Sequence, residues 1–422
     1  MEEWKQDKLI DLLDSLIDYR GKTPRKVDKG IPLITAKIVK NGRIDMPTEF
    51  IDIKDYNSWM VRGFPKNGDV ILTTEAPLGE VAQLDDKKIA LAQRIVCLRG
   101  KEGVLDNTFL KYFLLSSLGQ ARLKARETGT TVTGIKQSEL KEVLIDYPPY
   151  KYQKQITSIL KSLDDKIELN RRINENLEQQ AQALFKSWFV DFEPFKGGKF
   201  VDSELGMIPE ELIISRIGDI PHTIESGRRP KGGAVLKGVP SIGAENIKGL
   251  GYYDYSKTKY IPEDFALTTN RGKVYGYELL IYKDGGKPGY FIPNYTIFGE
   301  GFPFDEMYIN EHVFRLDFMS KEYNVFAYFY MQTPYIMNQL NSIGGKAAIP
   351  GINTKDVESL PIFNGDNKKI QEFGNLVLPM ITTILRNCRE NARLAQLRDT
   401  LLPRLMSGEL AITDVDDRSI FQ

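Results

Sequence analysis

Three short runs in this chain hold residue types that could perform chemistry, and each lacks a component. A carboxyl or amide directly before Pro-Pro-Tyr can accept a hydrogen bond from an exocyclic amine. In Asp146-Tyr147-Pro148-Pro149-Tyr150 that place holds Tyr147, which has no such carbonyl, and no Gly-rich turn suited to S-adenosylmethionine accompanies it. The run reads as a stiff joint, because each proline lacks an N–H and restricts its neighbour. Gly21-Lys22-Thr23 looks like the end of a phosphate-binding loop, but the upstream glycine such a loop needs falls at Leu16. Glu139-Leu140-Lys141 has the form of half a nuclease metal site without a matching acidic partner. Two cysteines, Cys97 and Cys388, and two histidines, His222 and His312, are too few for a disulfide framework or a His-based metal site. The expectation is a chain with no catalytic residues, no metal site and no cofactor of its own.

Binding chemistry is better represented. Arg20, Lys22, Thr23, Arg25 and Lys26 place several phosphate donors in one turn-rich loop, and Arg228, Arg229 and Lys231 do the same later in the chain. Glycine and proline let such loops approach a duplex closely, and arginine can pair bidentately with guanine. Thr130, Thr131, Thr133 and Lys136 lie in or just after a second Gly/Thr loop, matched by the loop that holds Lys346; Lys283 and Lys287 flank a third. Lys37 and Asn246 complete the candidate DNA contacts. Lys+Arg and Asp+Glu both number 57, so any attraction for nucleic acid must come from one face rather than from net charge. No apolar stretch has the length of a membrane span and no signal-peptide core opens the chain, which points to a soluble cytoplasmic protein without membrane partners.

The elements that must position these loops occur twice. Ile156, Leu160, Leu163, Ile167, Asn170, Asn174, Leu177, Ala181, Leu184 and Trp188 follow a 4-3-4-3 spacing, and each has a counterpart 217 positions later, from Phe373 to Leu405. Such spacing lays a narrow seam along one side of a long helix. In an antiparallel pair, facing positions have a constant sum. That sum is 561 both for Asn170 with Asn391 and for Asn174 with Asn387, so the amides would meet near the middle of the seam and fix its register. At 1.5 Å per residue each seam is roughly 50 Å long. Other features repeat too: Gly30-Ile31-Pro32-Leu33-Ile34 returns as Gly238-Val239-Pro240-Ser241-Ile242, and Gly134-Ile135 as Gly351-Ile352.

The expected fold class is mixed α/β: two target-reading units and two long helices paired as an antiparallel coiled coil, with an internal pseudo-twofold repeat. The boundaries are a first unit over 1–150, a helix over 151–192, a linker over 193–211, a second unit over 212–366, a helix over 367–410 and a tail over 411–422. In the first unit, short β-type runs at 31–34, 69–73, 81–84 and 94–98 precede helical periodicity from Phe109 to Lys124. Phe185, Trp188, Phe189 and Phe192 exceed what a two-helix seam can bury, and are candidate docking residues for a partner.

Four segments carry a resemblance over essentially the whole chain. They are Gly30 to Thr35 behind its basic turn, Gly68-Asp69-Val70-Ile71-Leu72, the central run 163–170 with 183–192, and Leu397-Arg398-Asp399-Thr400-Leu401-Leu402-Pro403-Arg404-Leu405-Met406-Ser407-Gly408-Glu409-Leu410. Together they resemble the specificity subunit of type I restriction–modification systems. The resemblance implies two target recognition domains on double-stranded DNA, each reading one half of a bipartite asymmetric site, with the helices setting the spacing. It also implies two methyltransferase subunits docked on the helices and two ATP-dependent restriction subunits in the full complex. S-adenosylmethionine, ATP and Mg2+ would then belong to those partners. The second unit departs in detail, with Gly243 where the first has Thr35. Two other readings of the residues are a self-contained DNA amino-methyltransferase using Pro148-Pro149 and a coiled-coil scaffold without DNA specificity.

Overall fold

The structure, a computed structural model, describes residues 4–19, 23–85, 87–129, 133–287, 289–345 and 350–410. Arg20, Lys22, Thr130, Thr131 and Lys346, and the side chain of Lys287, lie outside the described residues. The chain forms two compact units, Met1–Asp165 with Leu394–Gln422 and Lys166–Arg393. This division runs through both long helices, Tyr150–Phe189 and Lys368–Met406, so each unit owns a stretch of both. The reason is burial: Ile156, Leu160, Leu402 and Leu405 belong to the same core as Phe109 and Leu110, and Phe185, Phe373 and Val377 to the same core as Leu279 and Phe326.

The two units repeat one plan. In the first, a four-stranded antiparallel sheet has the order Leu13–Asp18, Ile95–Gly100, Val70–Thr74, Leu78–Gln83. In the second, the order is Thr223–Ser226, Val313–Asp317, Leu279–Tyr282, Asn294–Ile297. A smaller sheet accompanies each, with one parallel pair: Ile31–Ile34 beside Ala90–Leu91, and Val239–Ile242 beside Tyr308–Ile309. The Val70–Thr74 strand is buried at every residue, as a continuous apolar run between flanking strands requires. The repeated glycine has a steric cause. A Cβ on Gly30 would lie 2.1 Å from the Ile51 carbonyl oxygen, and one on Gly238 2.2 Å from that of Ile261, so only glycine lets the strand meet its neighbour.

Two expectations are corrected. The helical run from Phe109 to Lys124 is two helices, Asn107–Leu115 and Ser117–Lys124. Ser116 breaks it by taking extended backbone and accepting the Gly119 N–H on its hydroxyl at 3.1 Å, a side-chain N-cap. The segment 193–211 is no plain linker: it folds into a hairpin, Phe200–Ser203 with Gly206–Pro209, and Phe195 and Ile208 are buried in the second unit's core. Its glycine-rich composition masks two apolar anchors.

Within the second unit the two helices run antiparallel. Asn170 Nδ2 donates to Asn391 Oδ1 at 2.9 Å and to Glu390 Oε2 at 2.7 Å, and Asn387 Nδ2 donates to Asn174 Oδ1 at 2.8 Å. These are the two pairs that the constant sum requires. Asn174 also reaches the Ile384 carbonyl and the Cys388 sulfur, whose thiol burial pushes up to about 11. Within the first unit the helices meet through Asp164 and Arg398, 2.9 Å apart.

Candidate nucleic-acid interface

In each unit the basic turn is tied to the strand that crosses the sheet centre. In the first, the Gln93 amide donates to Thr23 Oγ1 at 3.0 Å. In the second, Glu311 stands 3.9 Å from Arg229. Arg25 and Lys26 are exposed beside Thr23, and Arg228 and Lys231 are exposed around Arg229. Lys26 pairs with Glu49 at 2.8 Å. Pro24 and Pro230 are buried within otherwise exposed turns, which pins the backbone while the cations face water.

Directly after Gln93 and Glu311 come two residues that sequence reasoning missed, Arg94 and His312. The hydrogen bonds that frame them match. Thr74 N–H donates to the Arg94 carbonyl at 2.9 Å, and Lys283 N–H to the His312 carbonyl at 3.1 Å. Ile135 N–H donates to the Thr74 carbonyl, and Ile352 N–H to the Lys283 carbonyl, each at 2.9 Å. The residues after Thr74 and Lys283 are carboxylates: Glu75 lies 2.7 Å from Arg94 Nε, and Asp284 2.7 Å from His312 Nδ1. A Cβ on Gly134 would come within 2.7 Å of the Thr74 carbonyl oxygen and 2.8 Å of Glu75, which accounts for that glycine, and one on Gly351 would be tight at 3.1 Å from Asp284. Each unit thus gathers a basic turn, a pair of basic side chain and carboxylate, and a Gly-Ile step at one end of its two central strands. The only sequence trace of the pair is that Arg94-Ile95-Val96 and His312-Val313-Phe314 are both a basic residue before an apolar strand.

Comparison with known proteins bears on what such a duplicated surface serves. Residues 1–179 match the family described as type I restriction modification DNA specificity domain. The chain is 29% identical over 98% of its length to the type I restriction enzyme MjaIX specificity subunit of Methanocaldococcus jannaschii, covering 95% of that protein. It is 24% identical to the HindI specificity subunit of Haemophilus influenzae, over 97% of this chain and 100% of that one. The crystal structure of a type I restriction–modification S subunit from M. genitalium shares the fold, with a TM-score of 0.55 at 18% identity and 96% coverage of each chain. The chain is thus similar, over almost its whole length, to type I specificity subunits.

The remaining candidate residues divide cleanly. Lys37, Thr133 and Lys136 are exposed. Lys283 is half-buried, its Nζ 4.9 Å from the centre of the Phe314 ring, a cation–π contact within the sheet. Asn246 is corrected: it is 1% exposed, and its Oδ1 accepts the Asp254 N–H at 2.8 Å. That amide closes a turn and cannot reach a ligand. The docking residues are corrected as well. Phe185 and Phe189 are buried and Trp188 and Phe192 half-buried, all packed in the second unit's own core. Phe185 and Phe189 stack within 6.0 Å of Phe326 and Phe373, so the surplus apolar surface is consumed internally. Tyr147, in the Pro-Pro run, donates its hydroxyl to Asp7 at 2.6 Å. Among the described residues no helix is long and apolar enough to cross a membrane.

Proposed function

We propose that this chain selects the DNA on which a type I restriction–modification complex acts, each unit reading one half of a bipartite, asymmetric site. The observation that carries this reading is the duplication of one exposed arrangement, a basic turn with a basic side chain paired to a carboxylate, in two units of otherwise different surface sequence. Exposed cations beside a stiff turn suit phosphate contacts that set position, while the differing loop residues around them suit base contacts that set sequence. Arg25, Lys26 and Lys37 would serve the first half-site, and Arg228, Arg229 and Lys231 the second. The long helices would set the distance between half-sites and dock methyltransferase subunits. Leu169 and Ile173, exposed one turn apart on the first long helix, suit such docking better than the buried phenylalanines. S-adenosylmethionine, ATP and Mg2+ would be bound by the partner subunits, two for methylation and two for restriction.

The test is a unit exchange. Residues 1–150 are replaced by those of a relative, the chain is assembled with its methyltransferase subunit, and methylated sites are mapped across a genome. One half-site should change while the other half and the spacer stay. A change in both halves together would refute independent reading.

A further inference from the structure

We infer that Arg94 and His312 are equivalent DNA-contacting basic side chains, one in each unit, each held ready by a carboxylate that releases it to the duplex. The inference rests on the DNA-reading function proposed above and adds two residues to it. Three independent geometric matches support the equivalence. The backbone hydrogen bonds on both sides are the same, the distance from basic side chain to carboxylate is 2.7 Å in both units, and the basic side chains are exposed to the same degree, 50% for Arg94 and 49% for His312. A polar pair this exposed adds little to folding stability, so stability alone gives no reason for the same pair to occur in both units. Arg94 moreover adopts left-handed backbone at φ 74°, which bulky side chains rarely take, and such conformations concentrate at binding sites.

Position also argues for a ligand. The neighbours Gln93 and Glu311 touch the basic turns at Thr23 and Arg229, so along the chain Arg94 and His312 directly follow the residues that meet those turns. A phosphate arriving there would meet Arg94 with Arg25 and Lys26, or His312 with Arg228 and Arg229. Glu75, or Asp284 with Glu311 at 3.6 Å from His312 Nε2, would screen the cation until the duplex displaces it. A carboxylate beside a phosphate-binding cation also rejects anions that bring no further contacts, which favours an extended polyanion over free phosphate.

The test uses the full chain assembled with its methyltransferase subunit and a duplex carrying its methylated site, with binding measured from low to high salt. Arg94→Gln should weaken binding and flatten the slope of log K against log salt by about 0.9, the effect of losing one phosphate contact, and His312→Gln should weaken binding. His312→Arg, which installs the first unit's residue, should bind at least as tightly as the parent. Glu75→Gln and Asp284→Asn should leave the slope unchanged and binding equal or tighter. If cation and carboxylate variants weaken binding alike, the pairs are only tethers within each unit and the inference fails. It fails equally if Arg94→Gln keeps the parent slope and His312→Gln binds as tightly as the parent, a result that leaves the DNA-reading function standing. A parent complex that binds no duplex would overturn that function and the inference with it.

Discussion

The two units secure the same pair of long helices by opposite chemistry. In the first, Asp164 on one helix receives Arg398 from the other at 2.9 Å, Lys111 at 3.1 Å and the Tyr112 hydroxyl at 2.7 Å from the short domain helix. Burial alone would push this carboxyl up; the three donors outweigh it and hold it below the usual carboxylate range. In the second, the positions 217 residues on from Asp164 and 217 before Arg398 are Ile381 and Ala181, both buried, and the joint is aromatic. Phe185, Phe189 and Phe373 pack with Phe326 and Phe329, several of them edge to face. A polar hub is directional and fixes which groups must meet. An aromatic cluster is worth more by area, about 1.5–3 kcal/mol for each ring taken from water, but tolerates small shifts. One backbone plan therefore does not prescribe one set of forces.

The largest effect should come from Phe373→Ala, which opens a cavity where five other rings converge and should cost about 3–5 kcal/mol. Because a chain of two units need not unfold in one step, hydrogen exchange is the better measurement. Protection should fall in the strand Leu279–Tyr282 and persist in Val70–Thr74. Equal losses in both strands would mean that the units are not energetically separate.

Asp164→Ile places the second unit's residue in the first and leaves Arg398 and Lys111 without their shared counter-charge, at a cost of about 3 kcal/mol. Adding Arg398→Ala, again the second unit's choice, should recover at least about 1 kcal/mol. Simple additivity of the two changes would show that Asp164 and Arg398 are not coupled, and the contrast between the units would weaken.

Replacing Asn170, Asn174, Asn387 and Asn391 together by leucine should raise local stability by about 1–2 kcal/mol while loosening the register, which cysteine cross-linking along the helices would reveal. A loss of stability with register unchanged would mean the amides contribute as ordinary hydrogen bonds.

The smallest effect is on pH. A carboxyl whose folded pKa is depressed contributes stability above its unfolded value, about 3.9, and loses it as pH falls through the folded one. The stability gap between the parent and Asp164→Asn should therefore be full at neutral pH and close below about pH 4. A gap constant from pH 3 to 7 would show that the charge on Asp164 is not what holds this joint.

Most of the repeat was legible from the sequence alone. Helix seams announce themselves because the 4-3 spacing is set by the backbone's own geometry, and the amide pairs followed from arithmetic on that spacing. The repeated Gly30 and Gly238 were visible because a strand lying against a neighbour's carbonyl admits no Cβ, whatever surrounds it. The basic turns could be located, since glycine and proline mark turns locally. Tertiary structure decided what local rules do not reach. Phe185 and Phe189 read as surplus for a two-helix seam until the short helix Lys321–Tyr330 supplied their partners. Asn246 reads as a surface polar residue until Asp254 folds over it. Arg94 with Glu75, and His312 with Asp284, are 19 and 28 residues apart, and only the sheet brings each pair within 2.7 Å. Spacing along the chain fixes what a helix or turn presents; which side chains become neighbours depends on the burial of distant apolar surface, and that is settled only when the sheets and helices pack.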